Sequence, residues 1–260
     1  MKRFIQTLKN IWKIEDLRKR ILYTLSLIAI YRLGCYIVIP GIDASLLAGL
    51  QNQTSQGLLG LLDMFSGGAF GNASIFALGV MPYISASIVI QLLGVMFPFF
   101  QRLQREGESG RRKMNQYTRY LTILILAIQG PAYIANLHAQ LPAEAFVSTM
   151  SGGWYGAFAT LILIGGTMFV MWLGERITDR GLGNGISLII MIGIIARLPR
   201  ALKIELVEKF TQTTGGILMF IVEIVILFFV FVATIALVQA VRKVPVQYAK
   251  RVVGNKQYGG

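Results

Sequence analysis

The chain is 260 residues long, 55% hydrophobic and 14% charged, with a mean hydropathy of +0.62 and a net charge of +13. That balance is too apolar for an ordinary soluble domain. A single cysteine, Cys35, excludes an internal disulfide framework and a cysteine metal cluster.

Within the first twenty residues, Phe4, Ile5, Leu8, Ile11 and Trp12 fall on one helical face, with Lys2, Lys9 and Lys13 largely off it. This is the pattern of a helix lying in the headgroup region, and a solvated basic leader is the alternative. Glu15 and Asp16 interrupt the basic stretch and Arg32 interrupts the apolar one, so the segment does not read as a cleaved signal peptide. The first membrane span is expected at 21–40 and the second at 74–98, since crossing takes roughly 20 apolar residues.

Between them, "LLDMFSGGAFGN" (61–72) starts as an apolar helix and breaks at Gly67-Gly68 and again at Gly71-Asn72. Residues 57–65 are too few to cross a bilayer at ~1.5 Å per residue. Backbone freed by the glycines survives at membrane depth only inside protein or beside water. Two readings are open: a re-entrant element lodged in a cavity, or a plain external loop with an apolar turn. Pro82 in "GVMPYI" removes a backbone donor in mid-span, so a kink is expected there.

Further spans are expected at 119–136, 154–173, 184–199 and 216–240, making six. Twenty of the 25 Lys and Arg residues then fall in the N-terminal segment, the 99–119 loop, the 174–183 loop and the tail from Arg242. Arg197, Arg200, Lys203 and Lys209 share one loop on the opposite side. The positive-inside rule places the N-terminus and the tail in the cytoplasm. The glycines of "GLGNGIS" follow a membrane helix and not a strand, so they are no dinucleotide fingerprint. Arg32 and Glu223 are intramembrane ionisable groups, read as structural pairing or snorkelling ahead of a proton relay. His138 reads as exposed in an external loop, and Cys35 as a small packed or lipid-facing residue.

Several stretches resemble the SecY-type protein-conducting channel of the bacterial preprotein translocase. They are "MFSGGAFGNASIFALGVMPYISASIVIQLL" (64–93), "GESGRRKMNQYTRY" (107–120), "GTMFVMWLGERITDRGLGNGISLII" (166–190) and "VPVQYAKR" (244–251), with "YRLGCYIVIPGID" (31–43). The resemblance implies an all-α, SecY-like membrane protein: a first five-helix half at 21–199, an external loop at 200–215, the sixth helix at 216–240 and the start of a basic cytoplasmic loop at 241–260. On that footing the chain ends where the family continues into a second half.

The resemblance also implies roles. Residues 57–72 correspond to the plug of a resting channel, with Asp63, Met64, Phe65, Gly67, Gly68, Phe70, Gly71 and Asn72. The glycines are hinge candidates, and Asp63 and Asn72 are expected to keep parts of the element wet. Val80, Ile84, Ile186 and Ile190 correspond to the aliphatic pore ring, in i, i+4 pairs that share a helix face. An apolar constriction resists wetting and bars ions without charge. Pro82, Ser85, Ser87 and Gln91 are lateral-gate candidates, with interhelical hydrogen bonding as the alternative for the polar three. Arg242, Lys243, Lys250 and Arg251 match the loop that meets the ribosome or the motor, with anionic lipid as a further ligand. The partners implied are SecE-like and SecG-like small membrane subunits, a SecA-type motor ATPase, the ribosome, signal sequences, preproteins and membrane lipids. No cofactor is implied, and no catalytic residues. A secondary transporter needs a polar mid-membrane site built from several ionisable residues, and a membrane-embedded enzyme needs a nucleophile–base pair or metal ligands. Neither set is visible.

Overall fold

A computed structural model describes residues 12–47, 57–146, 153–211, 216–241, 251–253 and 256–258. The chain divides into two compact units, Met1–Pro199 and Arg200–Gly260.

Helix α1 (Glu15–Gly34) opens with Glu15 and Asp16 at the positive end of its dipole. They pair one turn on with Lys19 (2.8 Å) and Arg20 (3.2 Å). The helix ends at Gly34, and Cys35–Ile42 continues as turns. This segment lies against the chain around residue 74 as a short ladder, in which Val38 bridges Ser74. Ile39 N–H donates to the Ala73 carbonyl and Ile75 N–H to the Ile37 carbonyl, both at 2.9 Å.

Helix α2 (Gly57–Phe65) has nine residues, and the chain then turns repeatedly up to Val80. Helix α3 (Met81–Met96) follows, and α4 (Pro98–Arg105) departs from it at a 100° bend. Phe97 is extended and Pro98 cannot continue the hydrogen-bond ladder, which is the cause of the bend. Helix α5 (Glu108–Gln140) contains Pro131, α6 is Gly153–Arg180, and α7 (Gly185–Thr211) contains Pro199. In the first unit α5 packs on α3, α4 and α6, and α6 also packs on α1. Thr24 of α1 accepts a hydrogen bond from Leu182 N–H (3.2 Å), tying the first helix to the turn between α6 and α7.

In the second unit α8 (Gly216–Gln239) is apolar on all sides. Apart from Gly216 its residues are exposed or partly exposed, as suits a helix surrounded by lipid or by other helices. Lys209 reaches Glu205 (3.5 Å) and Glu223 (3.0 Å), so Glu223 has a structural partner. A two-strand hairpin, β1 (Arg251–Val253) and β2 (Lys256–Tyr258), pairs Arg251 with Tyr258. It is the one sheet among the described residues.

Several expectations are corrected. Four helices among the described residues are long and apolar enough to span, or five if α3 and α4 count as one broken span, against the six expected. Residues 21–34 of the expected first span are helical, but α1 starts earlier, taking in Arg18, Lys19 and Arg20, and stops at Gly34 before the apolar run ends. The second span is helical from Met81 and not from 74. Pro82 therefore lies in the first turn of α3, where its missing donor is unneeded, and it does not kink the span. Residues 200–211 continue α7 and are not loop. His138 is exposed as expected, but it belongs to α5 and not to a loop, and it stacks on Phe146 at 4.0 Å. Cys35 is buried. Of the N-terminal amphipathic segment, residues 1–11 lie outside the described residues.

The core of the first unit has two clusters. Phe70, Ala73 and Ala77 join Tyr133, Leu137 and Leu163 in one. Ala69, Phe76 and Val80 join Tyr31, Leu173 and Ile177 in the other. The non-helical stretch after α2 supplies both, so it runs through the interior and not along an external surface.

Candidate functional site

The broken segment begins as α2 and loses its helical register at two glycines. Gly67 and Gly68 have φ of +67° and +93°, the left-handed region that glycine enters without steric cost. Space is also short: a Cβ on Gly67 would lie 2.8 Å from the Gly193 Cα of α7 and 2.7 Å from Arg32 Nη1. Residues Ser66–Gly71 are all buried.

Interior backbone that is not helical must find partners for its polar groups. Three carbonyls of this turn receive a side-chain donor from a neighbouring helix. Tyr31 hydroxyl donates to the Ser66 carbonyl (3.2 Å), Arg32 Nη1 to the Gly67 carbonyl (3.0 Å) and Tyr133 hydroxyl to the Phe70 carbonyl (2.8 Å). Asn72 Nδ2 donates to the Cys35 carbonyl (3.4 Å). The segment is clasped through its backbone by α1 on one side and α5 on the other.

Asp63 adds an ionic tie. Its Oδ1 accepts from Gly71 N–H at 2.7 Å, and its Oδ2 pairs with Arg197 of α7. The Asp63 side chain is 2% exposed and that of Arg197 is 38% exposed. An isolated carboxylate at that depth is strongly disfavoured, so the pairing is what allows Asp63 to be there. The expectation that Asp63 keeps the element wet is overturned: it is buried and neutralised by an arginine that the sequence reading had assigned to an external loop. Asn72 is half-buried, while Met64 is on the exposed face of α2 and Phe65 is partly buried.

The four aliphatic ring candidates belong to one apolar cluster, with Val80 fully buried and Ile84, Ile186 and Ile190 packed against it. Val80 immediately precedes α3, and its carbonyl accepts the Ile84 N–H at 3.0 Å. On α7, Asn184 Oδ1 accepts from Ile186 N–H (3.1 Å) and Ser187 N–H (3.3 Å), capping the helix and fixing where Ile186 starts. The three polar gate candidates of α3 separate. Ser85 lines an apolar cavity of about 320 Å³ shared with Leu59 and Leu62 of α2 and Tyr133 and Asn136 of α5. Ser87 accepts from Gln91 Nε2 at 3.1 Å, and both line a different, more polar cavity toward α4 and α5. Of the basic docking candidates, Arg242, Lys243 and Lys250 lie outside the described residues, and Arg251 opens β1. At one end of the unit, Arg119 grips Glu175 through Nε (3.3 Å) and Nη2 (2.5 Å), joining α5 to α6 beside a polar cavity.

The turn that follows a short half-helix is thus clasped inside a bundle, next to an aliphatic cluster that includes the start of α3 and the start of α7. A family model named SecY matches residues 74–260 of this chain. The chain belongs to the SecY family. Protein translocase subunit SecY of Escherichia coli strain K12 is 45% identical over 248 residues, which is 94% of this chain and 55% of that relative. Its counterpart from Streptomyces scabiei is 44% identical over 261 residues, 96% and 58% of the two chains. That of Rickettsia typhi is 43% identical over 250 residues, 95% and 57%. This SecY-family chain spans a little over half the length of the curated relatives it matches.

Sequence reading had no access to Tyr31, Tyr133 or Arg197 as partners of the broken segment. Arg32 carried a signal, as a charge inside an apolar run. The tyrosines carried none, because a tyrosine in a membrane helix is unremarkable until the carbonyl it serves is placed beside it.

Proposed function

We propose that this chain forms the first half and sixth helix of the pore-forming subunit of a protein-translocation channel, and works with a second half like that of its longer relatives. Residues 57–72 are the plug, and Val80, Ile84, Ile186 and Ile190 are its half of the pore ring. The subunit sits in the cytoplasmic membrane with its N-terminus in the cytoplasm, performs no chemistry, and assembles with SecE-like and SecG-like small subunits.

A SecA-type motor or a ribosome docks on the basic cytoplasmic loops, including Arg242, Lys243, Lys250 and Arg251. A signal sequence separates the gate alongside α3, where Pro82, Ser85, Ser87 and Gln91 lie, and the plug withdraws. Unfolded preprotein then passes through the ring, and apolar segments leave sideways into lipid. Aliphatic side chains suit this work, since they hold no specific hydrogen bonds and yield to any passing side chain.

The observation that carries the reading is the buried turn that follows the half-helix. Its carbonyls accept side-chain hydrogen bonds from α1 and α5, and its Ala69 belongs to the aliphatic cluster that includes Val80. The test is conductance across planar bilayers of this chain reconstituted with a family second half and the small subunits, with and without residues 57–72. A quiet channel that leaks on deletion supports the reading. Equal silence after deletion overturns the plug assignment.

A further inference from the structure

The ion pair between Asp63 and Arg197 is lopsided in its surroundings. Asp63 is almost wholly enclosed, while more than a third of the Arg197 side chain is exposed. The arginine therefore retains access to solvent where it stands, and the carboxylate does not. Breaking the pair leaves one tolerable charge and one intolerable one.

As long as it stays ionised, the carboxylate has a single escape. Its other oxygen binds Gly71 N–H within the same segment, so Asp63 and the turn after α2 move together as a unit. An unpaired Asp63 reaches water only if α2 leaves its seat. The arrangement thus has two acceptable states, seated with the pair made or displaced with both charges hydrated, and no comfortable intermediate.

We propose that Arg197 is the residue that retains the plug: its pair with Asp63 is a latch whose loss expels α2, because the ionised carboxylate cannot stay buried alone. The proposal rests on the plug reading above, and adds to it a named control point on α7. Arg197 acts through Asp63 and so is a positioning residue.

The latch makes an asymmetric prediction that simple loss of stability does not. Arg197→Gln strands a buried charge and raises the resting open probability of the reconstituted channel roughly tenfold or more. Asp63→Asn removes the charge but keeps an acceptor for Gly71 N–H, and leaks less. The double variant D63N/R197Q is quieter than R197Q alone, since no charge remains to be expelled. Arg197→Lys stays near the parent. In a channel lacking residues 57–72, R197Q adds nothing.

Each outcome decides. A double variant as leaky as R197Q, or leakier, overturns the latch, as does an added leak from R197Q in the deleted channel. If deletion of 57–72 leaks while R197Q stays quiet, the plug reading stands and the latch fails. If deletion itself is silent, both fall. Should R197Q fail to accumulate in the membrane, recovery of accumulation on adding D63N supports the latch, and no recovery overturns it.

Discussion

Tyr133 of α5 donates its hydroxyl hydrogen to the carbonyl of Phe70 at 2.8 Å, across 63 residues of sequence. The two rings also meet edge to face, 4.8 Å between centroids. One residue thus serves the polar backbone and the apolar side chain of the same neighbour. Tyr133→Phe keeps the ring contact and removes the bond, and is expected to cost about 1 kcal/mol. The check is thermal unfolding of the detergent-solubilised protein, where a midpoint equal to the parent's would show that the bond contributes nothing net.

Gly67 and Gly183 share a left-handed backbone, with φ of +67° and +62°. Their surroundings differ: a Cβ on Gly183 meets nothing within 4 Å, while one on Gly67 meets Gly193 and Arg32. Gly183→Ala is therefore expected to cost about 1–2 kcal/mol, the conformational part alone. Gly67→Ala pays that and must also push α7 away, so it is the more damaging of the two. Denaturation of the pair under identical conditions tests the order, and equal losses would refute the close approach.

Val80 is 3% exposed and borders the aliphatic cluster. Val80→Ser introduces a hydroxyl where the proposed ring must stay dry, and is expected to increase resting ion leak of the reconstituted channel. Val80→Ile is expected to tighten the seal. Conductance of the two variants moving in the same direction would count against the ring.

Arg119 and Glu175 form a two-point contact, with side chains 46% and 23% exposed. Solvent screens such a pair, and a double-variant cycle with Arg119→Gln and Glu175→Gln is expected to return only about 0.5–1 kcal/mol of coupling. The coupling should shrink in high salt. A value several times larger, insensitive to salt, would mean the polar cavity beside it is far drier than its geometry implies.

The helical, multi-spanning character of the chain was legible from hydropathy, while Val80, Ile84, Ile186 and Ile190 were picked out by motif alone and share one apolar cluster. Helix ends were not. Composition runs on through 74–80 as an apolar segment, yet the chain turns there because Gly79 adopts a φ of +53° and the following residues cap α3. Pro82 reads as a kink only when the helix is assumed to start at 74 and not at Met81. At the other extreme, α7 continues through Pro199 to Thr211, although polar composition suggested a loop. Long-range partners were the least accessible part. Asp63 and Arg197 lie on separate elements, and nothing local to either residue indicates that a carboxylate expected at water is sealed against an arginine expected in a loop.

The short backbone ladder between Ile37–Ile39 and Ala73–Ile75 limits how far the half-helix could travel as the proposed plug. It fixes the chain at Ala73, eight peptide units beyond the end of α2 at Phe65. Fully drawn out, eight residues reach about 28 Å. If α2 acts as the proposed plug, it is therefore leashed: as long as the ladder holds, Phe65 stays within about one bilayer-core thickness of its anchor. Return to the seat is then a search through a small volume and not a recapture from solution.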